Sequence, residues 1–571
     1  MGTLKSFSPF LRLPDSSSMI PRLLQPAKSS YPPILPSQAP LSDRLRSFQC
    51  CGLNILTSKR YSRILLVSIF CFATVVVLWH VEPAERIEFG SVQYSVLPAQ
   101  DPLGDGSLPP LYEQYHEYER NLPQHDMELP APDGKSARFI FSANHAWGSG
   151  WGNTLQEMIM NAHLAYATKR AFVFYNYTWD RHEDAFSDFN GKVIPSRVPV
   201  STMLSGPIVG GSWTPELAPY IPRAVSSEYF YKVCQERTVI HTEDVKSALT
   251  TGDGVTILQT WVDKINSIED RCIEIYHDSN HIFDFWLFGS TDIHSLWPIM
   301  AKSPILTQFN FSPLILLAYT ANRHHFITPK DTSLASYFPS IGGYLPALTY
   351  SEIPRPPASA PPLSTPIPGL MVLHLRRGDF EDHCRHLARY GSTYNGYNSF
   401  PHFPDRFDPS ILGMNSQEWN EDRAYNELYK EHCYPDIDQI IKRVGDIRRS
   451  VDERRSLGQG NSWLSRLLTW IGSSDADLHP LRRIYVMTNG KNEWLDELKS
   501  ALVEDGWELN GISTSRDLEL TWEQKYVSQA LDMYVAARAQ VFVGNGFSSL
   551  TSNTVMLRMA NNMDPLDTRF W

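Results

Sequence analysis

The spacing of apolar and polar positions changes character several times along the chain. Residues 1–62 mix Pro and Ser with no helical or strand periodicity, which predicts a disordered tail. Ile64–Val81 (ILLVSIFCFATVVVLWHV) then runs for 18 residues without Asp, Glu, Lys or Arg. A bilayer-spanning helix needs about 20 apolar residues, so one transmembrane helix is expected over 63–81. Residues 82–135 read as a stem, with one short helix over Tyr112–Arg120.

A globular pattern starts near Ser136. Arg138–Phe141 reads as a strand, 145–152 (HAWGSGWG) as a Gly-rich turn, and Thr154–Thr168 as a helix with Leu155, Met158, Ile159, Ala162 and Ala165 on one face. Ala171–Tyr175 is a second strand. Strand, turn, helix and strand in that order predict a parallel βαβ unit. Helices are expected over His281–Met300 and Ser312–Asn322.

The Pro-rich stretch 353–369 (IPRPPASAPPLSTPIPG) is a linker, after which the alternation restarts. Strands are expected over Leu370–Leu375, Arg483–Met487 and Gln540–Gly544, and helices over Glu493–Glu504, Glu523–Arg538 and Ser552–Ala560. The polar stretch 444–480 is expected to loop out as an insertion. The fold class is therefore α/β, with an N-terminal Rossmann-like domain over 136–352 and a C-terminal one over 370–571 facing a cleft.

Charge refines this picture. Residues 1–63 hold nine Lys or Arg against Asp15 and Asp43, a balance of +7. The net charge is −11 overall, so −18 falls to the remainder. An acidic body lacks the basic face that nucleic acid requires. Lys59, Arg60 and Arg63 before the apolar run, with Glu82 and Glu85 after it, keep the N-terminus cytosolic and predict a single-pass type II protein whose body is lumenal. Such a body belongs in the Golgi or endoplasmic reticulum. Cys50 and Cys51 lie where juxtamembrane cysteines are palmitoylated. Cys234, Cys272, Cys384 and Cys433 are an even set on the oxidising side, open to two disulfides in any of three pairings. Asn176 (NYT) and Asn310 (NFS) begin glycosylation sequons.

Three motifs carry chemistry. His374-Leu375-Arg376-Arg377-Gly378-Asp379 follows an apolar strand, where open α/β sheets bind ligands and where arginine forks suit phosphate oxygens. A guanidinium there stabilises charge on a departing diphosphate. Gly544-Asn545-Gly546-Phe547-Ser548-Ser549 again joins a buried strand to a helix, a setting for an anion at the helix start. Gly150-Trp151-Gly152-Asn153 is the equivalent turn in the first half. Asp532 is a further candidate. Asp436-Ile437-Asp438 and Asp475-Ala476-Asp477 match a metal-binding D-x-D formally but sit in polar surroundings, so no metal is expected.

Together HLRRGD, the downstream Asp532 and FVGNGFSS resemble the signature of the GDP-fucose-dependent fucosyltransferase superfamily. That superfamily contains the protein O-fucosyltransferases, the α-1,6 core fucosyltransferases and the nodulation fucosyltransferases. The GWGN turn resembles the Gly-Asn turn of the protein O-fucosyltransferases. The resemblance spans roughly residues 136–560. It implies a GT-B-like fold and inverting, metal-independent transfer of L-fucose from GDP-β-L-fucose to a hydroxyl of a protein or glycan.

By that resemblance Arg376 holds the β-phosphate, His374 helps hold the nucleotide, and Asp532 accepts from guanine. Phe547, Ser548 and Ser549 contact or pack beside the diphosphate, and Asn153 lies across the cleft. The base that takes the acceptor proton is open between Asp382, beside Glu381 and His383 after the arginine motif, and Glu157 in the first helix. The Asp532-to-serine spacing is slightly longer than in the core-fucosylating branch. Two other readings stand beside this one: a transferase for a different nucleotide sugar, and a non-catalytic lectin-like or scaffold protein of the same fold.

Overall fold

In a computed structural model of the chain, the structure describes residues 108–181, 184–189, 192–246, 252–327, 361–378, 380–412, 423–458 and 478–571. The expected tail, the transmembrane span, residues 353–360 of the linker, Asp379 and residues 475–477 lie outside them. Among the described residues no helix is long and apolar enough to cross a membrane.

The N-terminal half is built on a parallel sheet of β1 (Phe139–Ser142), β2 (Ala171–Phe174), β3 (Val225–Ser226), β4 (Thr238–Ile240) and β5 (Cys272–Ile275), in the order β3-β2-β1-β5-β4. The C-terminal half repeats the plan with β6 (Ile367–Leu375), β7 (Arg483–Thr488), β8 (Ile512–Thr514), β9 (Ala539–Gly544) and β10 (Thr568–Phe570), in the order β8-β7-β6-β9-β10. β1, β2 and β9 are buried along their whole length. That is why they read as unbroken apolar runs rather than as alternating strands. The strand order reverses between β1 and β5 in one sheet and between β6 and β9 in the other.

Helix α1 (Pro110–Arg120) begins the described fold. Tyr112 and Tyr115 are buried, and the Tyr112 hydroxyl donates to the Glu523 carbonyl at 2.9 Å. Glu119 accepts from the Ser201 amide at 3.0 Å, with burial raising its carboxyl to about 7. Residues from 110 onward are thus packed into the body, and a stem reaching to 135 is too long.

Helix α2 (Trp151–Ala167) follows β1 and is buried nearly all round, as a helix enclosed by a sheet and a second helix must be. Further on lie α3 (Gly254–Asn266), α4 (Pro313–Ala321), α5 (Phe380–Arg389) and α6 (Arg423–Cys433). Then come α7 (Ile437–Gly458), α8 (Asn492–Glu504), α9 (Ser528–Arg538) and α10 (Ser549–Ala560).

Three further expectations are corrected. The insertion expected from 444 begins as the helix α7, whose Ile440, Val444, Ile447 and Val451 are buried beside Leu498 and Leu502 of α8. The single helix expected over His281–Met300 is instead a short helix Phe285–Gly289, a 3-10 turn Thr291–Leu296 and a short helix Trp297–Met300. Ser290 caps the second piece and so ends the first. The helix expected over Glu523–Arg538 breaks at Tyr526–Val527.

The cysteine pairing left open by sequence is Cys234–Cys272 and Cys384–Cys433. The first bridge ties β5 to the helix Ser227–Val233, and the second ties α5 to α6.

Candidate active site

A cleft of about 2980 Å³ opens between the two halves and is lined from both. From the C-terminal half, Arg376–Gly378 after β6 and Phe547–Leu550 after β9 reach it; from the N-terminal half, Gly150–Asn153 do. The first two segments leave the sheet where its strand order reverses, the place where open α/β sheets bind ligands.

The two arginines both border the cleft at the end of β6 but differ in burial. Arg376 lines the cleft, its guanidinium 4.7 Å from the centre of the Phe380 ring. Arg377 is buried: its guanidinium packs against Trp494 at 4.1 Å and Tyr434 at 4.4 Å and donates to the Pro435 carbonyl at 2.5 Å. Burial pulls its pKa down to about 10. Asn489 fixes this turn from β7, accepting from the Arg377 amide at 2.8 Å and donating to its carbonyl at 3.0 Å. Gly378 has φ +65° and so turns the chain where a side chain would be strained.

The Gly544–Ser549 turn is held as tightly. A Cβ on Gly546 would lie 2.3 Å from the Tyr394 ring, and the Gly546 carbonyl accepts from the Asn395 amide and the Asn398 side chain, each at 2.8 Å. Asn545 donates to the Cys433 carbonyl at 2.7 Å. Ser548 stands at the N-cap of α10, yet its side chain makes no capping bond. The first amides of α10 therefore meet the cleft without a side-chain cap, a setting suited to an anion. Helix α2 begins in the same way, with Gly150 at the N-cap, no side-chain cap, and an exposed Asn153 on its first turn.

Four of the candidate residues are placed differently from what the motifs implied. His374 does not line the cleft. It is buried beneath the floor, its Nδ1 sharing a 2.7 Å hydrogen bond with Thr551 Oγ1 of α10, while its carbonyl accepts from the Trp571 indole at 2.9 Å. Burial lowers its pKa to about 3, so at neutral pH it is an uncharged strut. Asp532 does not line the cleft; its carboxylate accepts from the Tyr485 hydroxyl and from Ser515 Oγ at 3.1 Å. Burial raises it to about 6. Gln529 of the same helix and Arg516 do line the cleft.

Neither base candidate lines the cleft. Glu157 is buried with both oxygens engaged, by the Ala146 amide and by His281 Nδ1, each at 2.6 Å. Asp382 points outward from α5 and pairs with Arg385 at 2.7 Å. Glu381 and His383 of the same helix do line the cleft, and Glu381 is held by Arg385 at 3.0 Å.

The D-x-D at 436–438 is a helix start: Asp436 accepts from the Gln439 amide at 2.8 Å while Gln439 accepts from the Asp436 amide at 2.9 Å. Among the described residues no group of three or more His, Cys, Asp or Glu could hold a metal ion.

Sequence reasoning missed several cleft-lining residues. Asn489 was findable, because it follows a buried strand in an Asn-Gly turn. Arg516, Gln529, Phe285 and Trp286 carry no local signal of their position.

No protein-family model matches the sequence, and no curated protein matches it. Among solved structures, POFUT1 in complex with GDP-fucose is similar at 14% identity and a TM-score of 0.39, over 76% of this chain and 97% of that one. The apo form of POFUT1 is similar at 14% identity and a TM-score of 0.39, over 78% and 99%. A POFUT1 complex with GDP is similar at 14% identity and a TM-score of 0.35, over 76% and 98%.

Proposed function

We propose that the chain is an inverting glycosyltransferase that moves L-fucose from GDP-β-L-fucose to a hydroxyl of a protein or glycan in the secretory pathway. The observation that carries the reading is the placement of Arg376. It lines the cleft at the point of strand reversal that it shares with the side-chain-uncapped start of α10, while its neighbour Arg377 is buried. A fixed cation and a helix start at one place favour a diphosphate.

In this reading the acceptor oxygen attacks C1 as the C1–O bond to the β-phosphate breaks. The electron pair leaves with GDP, and the acceptor proton passes to a base or to solvent. Arg376 and the amides of α10 stabilise the charge that develops on the diphosphate. Ser548 and Ser549 offer hydroxyls beside it, and Asn153 faces it from α2. Asp532 keeps lone pairs beyond those used by Tyr485 and Ser515, so it can still accept from guanine N1–H and N2–H₂. His374 acts through Thr551 by positioning α10. Guanine and fucose themselves rest on the motif resemblance.

The two disulfides support a lumenal body. With the basic flank before Ile64–Val81, they favour a single-pass type II protein of the Golgi or endoplasmic reticulum. The domain plan we propose is tail, span, a short stem and two Rossmann-like domains.

The test is calorimetry of the purified full chain in detergent with GDP and with UDP, followed by transfer from GDP-fucose. Selective GDP binding that is lost in Arg376→Ala is the expected result. Preference for UDP would remove fucose as the donor, and no nucleotide binding by folded protein would sink the enzyme reading.

A further inference from the structure

Phe285 and Trp286 are adjacent, 70% and 71% exposed, and both line the cleft. Their ring centres are 4.8 Å apart with planes inclined by 35°. The segment that carries them is fixed from both sides. Asp284 accepts from the Leu287 amide at 3.1 Å and from Lys246 at 2.9 Å. The next two residues, Leu287 and Phe288, are buried in the core. The fold thus holds two large apolar rings in solvent at a defined place, where no packing among the described residues calls for them. Tyr390, 63% exposed, lines the same cleft from the end of α5.

We infer that Phe285 and Trp286 form the acceptor platform of the cleft, and that the acceptor is a neutral oligosaccharide. The inference rests on the proposed sugar-transfer reading. A pyranose presents a face of C–H groups that stacks on an aromatic ring and a rim of hydroxyls that needs small polar partners. Ser290 and Thr291, also in the cleft lining, border the rings with such groups. The rings carry no charge, and the carboxylate next to them in sequence, Asp284, is already paired with Lys246. Two rings also match one or two sugar units in size. A docked protein domain needs about 800 Å² on each partner.

The experiment uses the full-length protein in detergent, with Phe285→Ala, Trp286→Ala and the double variant beside it. Short neutral oligosaccharides built from mannose, galactose, xylose or N-acetylglucosamine are titrated while Trp fluorescence is followed, and GDP binding is measured separately. Both side chains face solvent, so each variant should fold with an unchanged melting temperature. We expect at least one oligosaccharide class to bind, to lose about tenfold or more in affinity in Trp286→Ala, and to show that loss as a raised acceptor KM in transfer. GDP affinity should stay the same in all variants. Oligosaccharide binding that is indifferent to both substitutions overturns the inference. So does GDP binding without binding of any oligosaccharide, or a sugar-free folded domain or peptide whose binding is lost in the same variants. Absence of GDP binding in the wild type overturns the sugar-transfer reading itself, and that arm is scored without the oligosaccharides.

Discussion

The side-chain amide of Asn553, on the second turn of α10, donates to the carbonyl of Gly152, on the first turn of α2, at 2.7 Å. Both residues are buried. This bond crosses from one half of the molecule to the other and fixes the two helix starts side by side at the cleft. Gly152 has no room for a side chain: a Cβ there would stand 2.6 Å from the Leu550 amide nitrogen and 2.6 Å from Ser549 Oγ. The glycine of the first motif thus exists for the serines of the second.

Gly152→Ala should therefore act on both halves at once. The Cβ meets backbone, which cannot swing aside, so α2 and α10 must separate by a few tenths of an ångström or more. Overpacking of this kind costs about 1–3 kcal/mol. Urea denaturation should show a loss in that range, and calorimetry should show weaker GDP binding because Ser549 and Leu550 are displaced. Unchanged stability and unchanged GDP affinity would refute the close approach.

The adjacent arginines should separate cleanly in two assays. Arg376→Ala removes a cleft-facing cation and should weaken GDP binding by about 10- to 100-fold, in line with about 1.5–3 kcal/mol for a charge-assisted bond, with little change in melting temperature. Arg377→Ala should leave the Pro435 carbonyl without its donor and open a gap between Trp494 and Tyr434. A loss of about 2–4 kcal/mol in stability is expected from the combined cavity and lost bond. If the two variants gave the same pattern, the assignment of a binding role to Arg376 and a packing role to Arg377 would be wrong.

Much of this was legible in the chain because buried parallel strands read as short apolar runs, which is how β1, β2, β6, β7 and β9 announce themselves. β3 and β4 are two and three residues long and give no periodicity to read. Helix α7 was legible in principle: Ile440, Val444, Ile447 and Val451 recur at helical spacing, but the Arg and Asp residues between them read as solvated loop. Which of Arg376 and Arg377 is the more buried depends on the direction the chain takes beyond β6, and Asn489, a distant residue, fixes that turn. The exposure of Phe285 and Trp286 is likewise set by Asp284 and Lys246, and an isolated aromatic pair in sequence reads as core.

The Cys384–Cys433 bridge closes a loop with a sequence separation of 49 residues between two helices that both contribute to the cleft wall. The chain-entropy model gives about 4 kcal/mol for a loop of that size. Replacing both cysteines by serine should lower stability by about 2–4 kcal/mol in urea denaturation, and reduction of the wild type, which also opens Cys234–Cys272, should lower it further. A double variant as stable as the oxidised wild type would show that the bridge adds nothing.

His374 should make stability fall on acidification. Its pKa is about 3 in the fold against 6.5 when free, because burial disfavours the charged ring. Between those values the unfolded chain holds a proton that the folded chain does not, so stability is lost as pH falls below about 6.5. By about pH 5 the loss from this group alone is about 2 kcal/mol. Asp532 and Glu119, raised to about 6 and about 7, work in the opposite sense. His145 and His163, lowered to about 3 and about 4, add to the loss. The test is thus a difference: His374→Asn should lose about 2 kcal/mol less than wild type between about pH 7.5 and pH 5 in urea denaturation. Parallel curves would mean that the ring is not buried in its neutral form.

Asp532 gives the donor site its own pH signature. Burial raises its carboxyl to about 6, although Tyr485 and Ser515 both donate to it and pull the other way. Only the ionised carboxylate is purely an acceptor, and guanine presents two N–H donors to any acceptor beside it. GDP affinity should therefore be flat above about pH 7 and fall by up to about tenfold per unit below about 6. The diphosphate titrates as well, so the comparison that isolates the carboxylate is with Asp532→Asn. That variant should bind GDP more weakly than wild type at neutral pH and should lose the part of the acid dependence that the carboxylate supplies. It should also narrow the gap between GDP and UDP. If Asp532→Asn kept the affinity, the pH profile and the preference for GDP, the carboxylate would be serving only Tyr485 and Ser515, and the guanine would have to be read by Arg516 and Gln529.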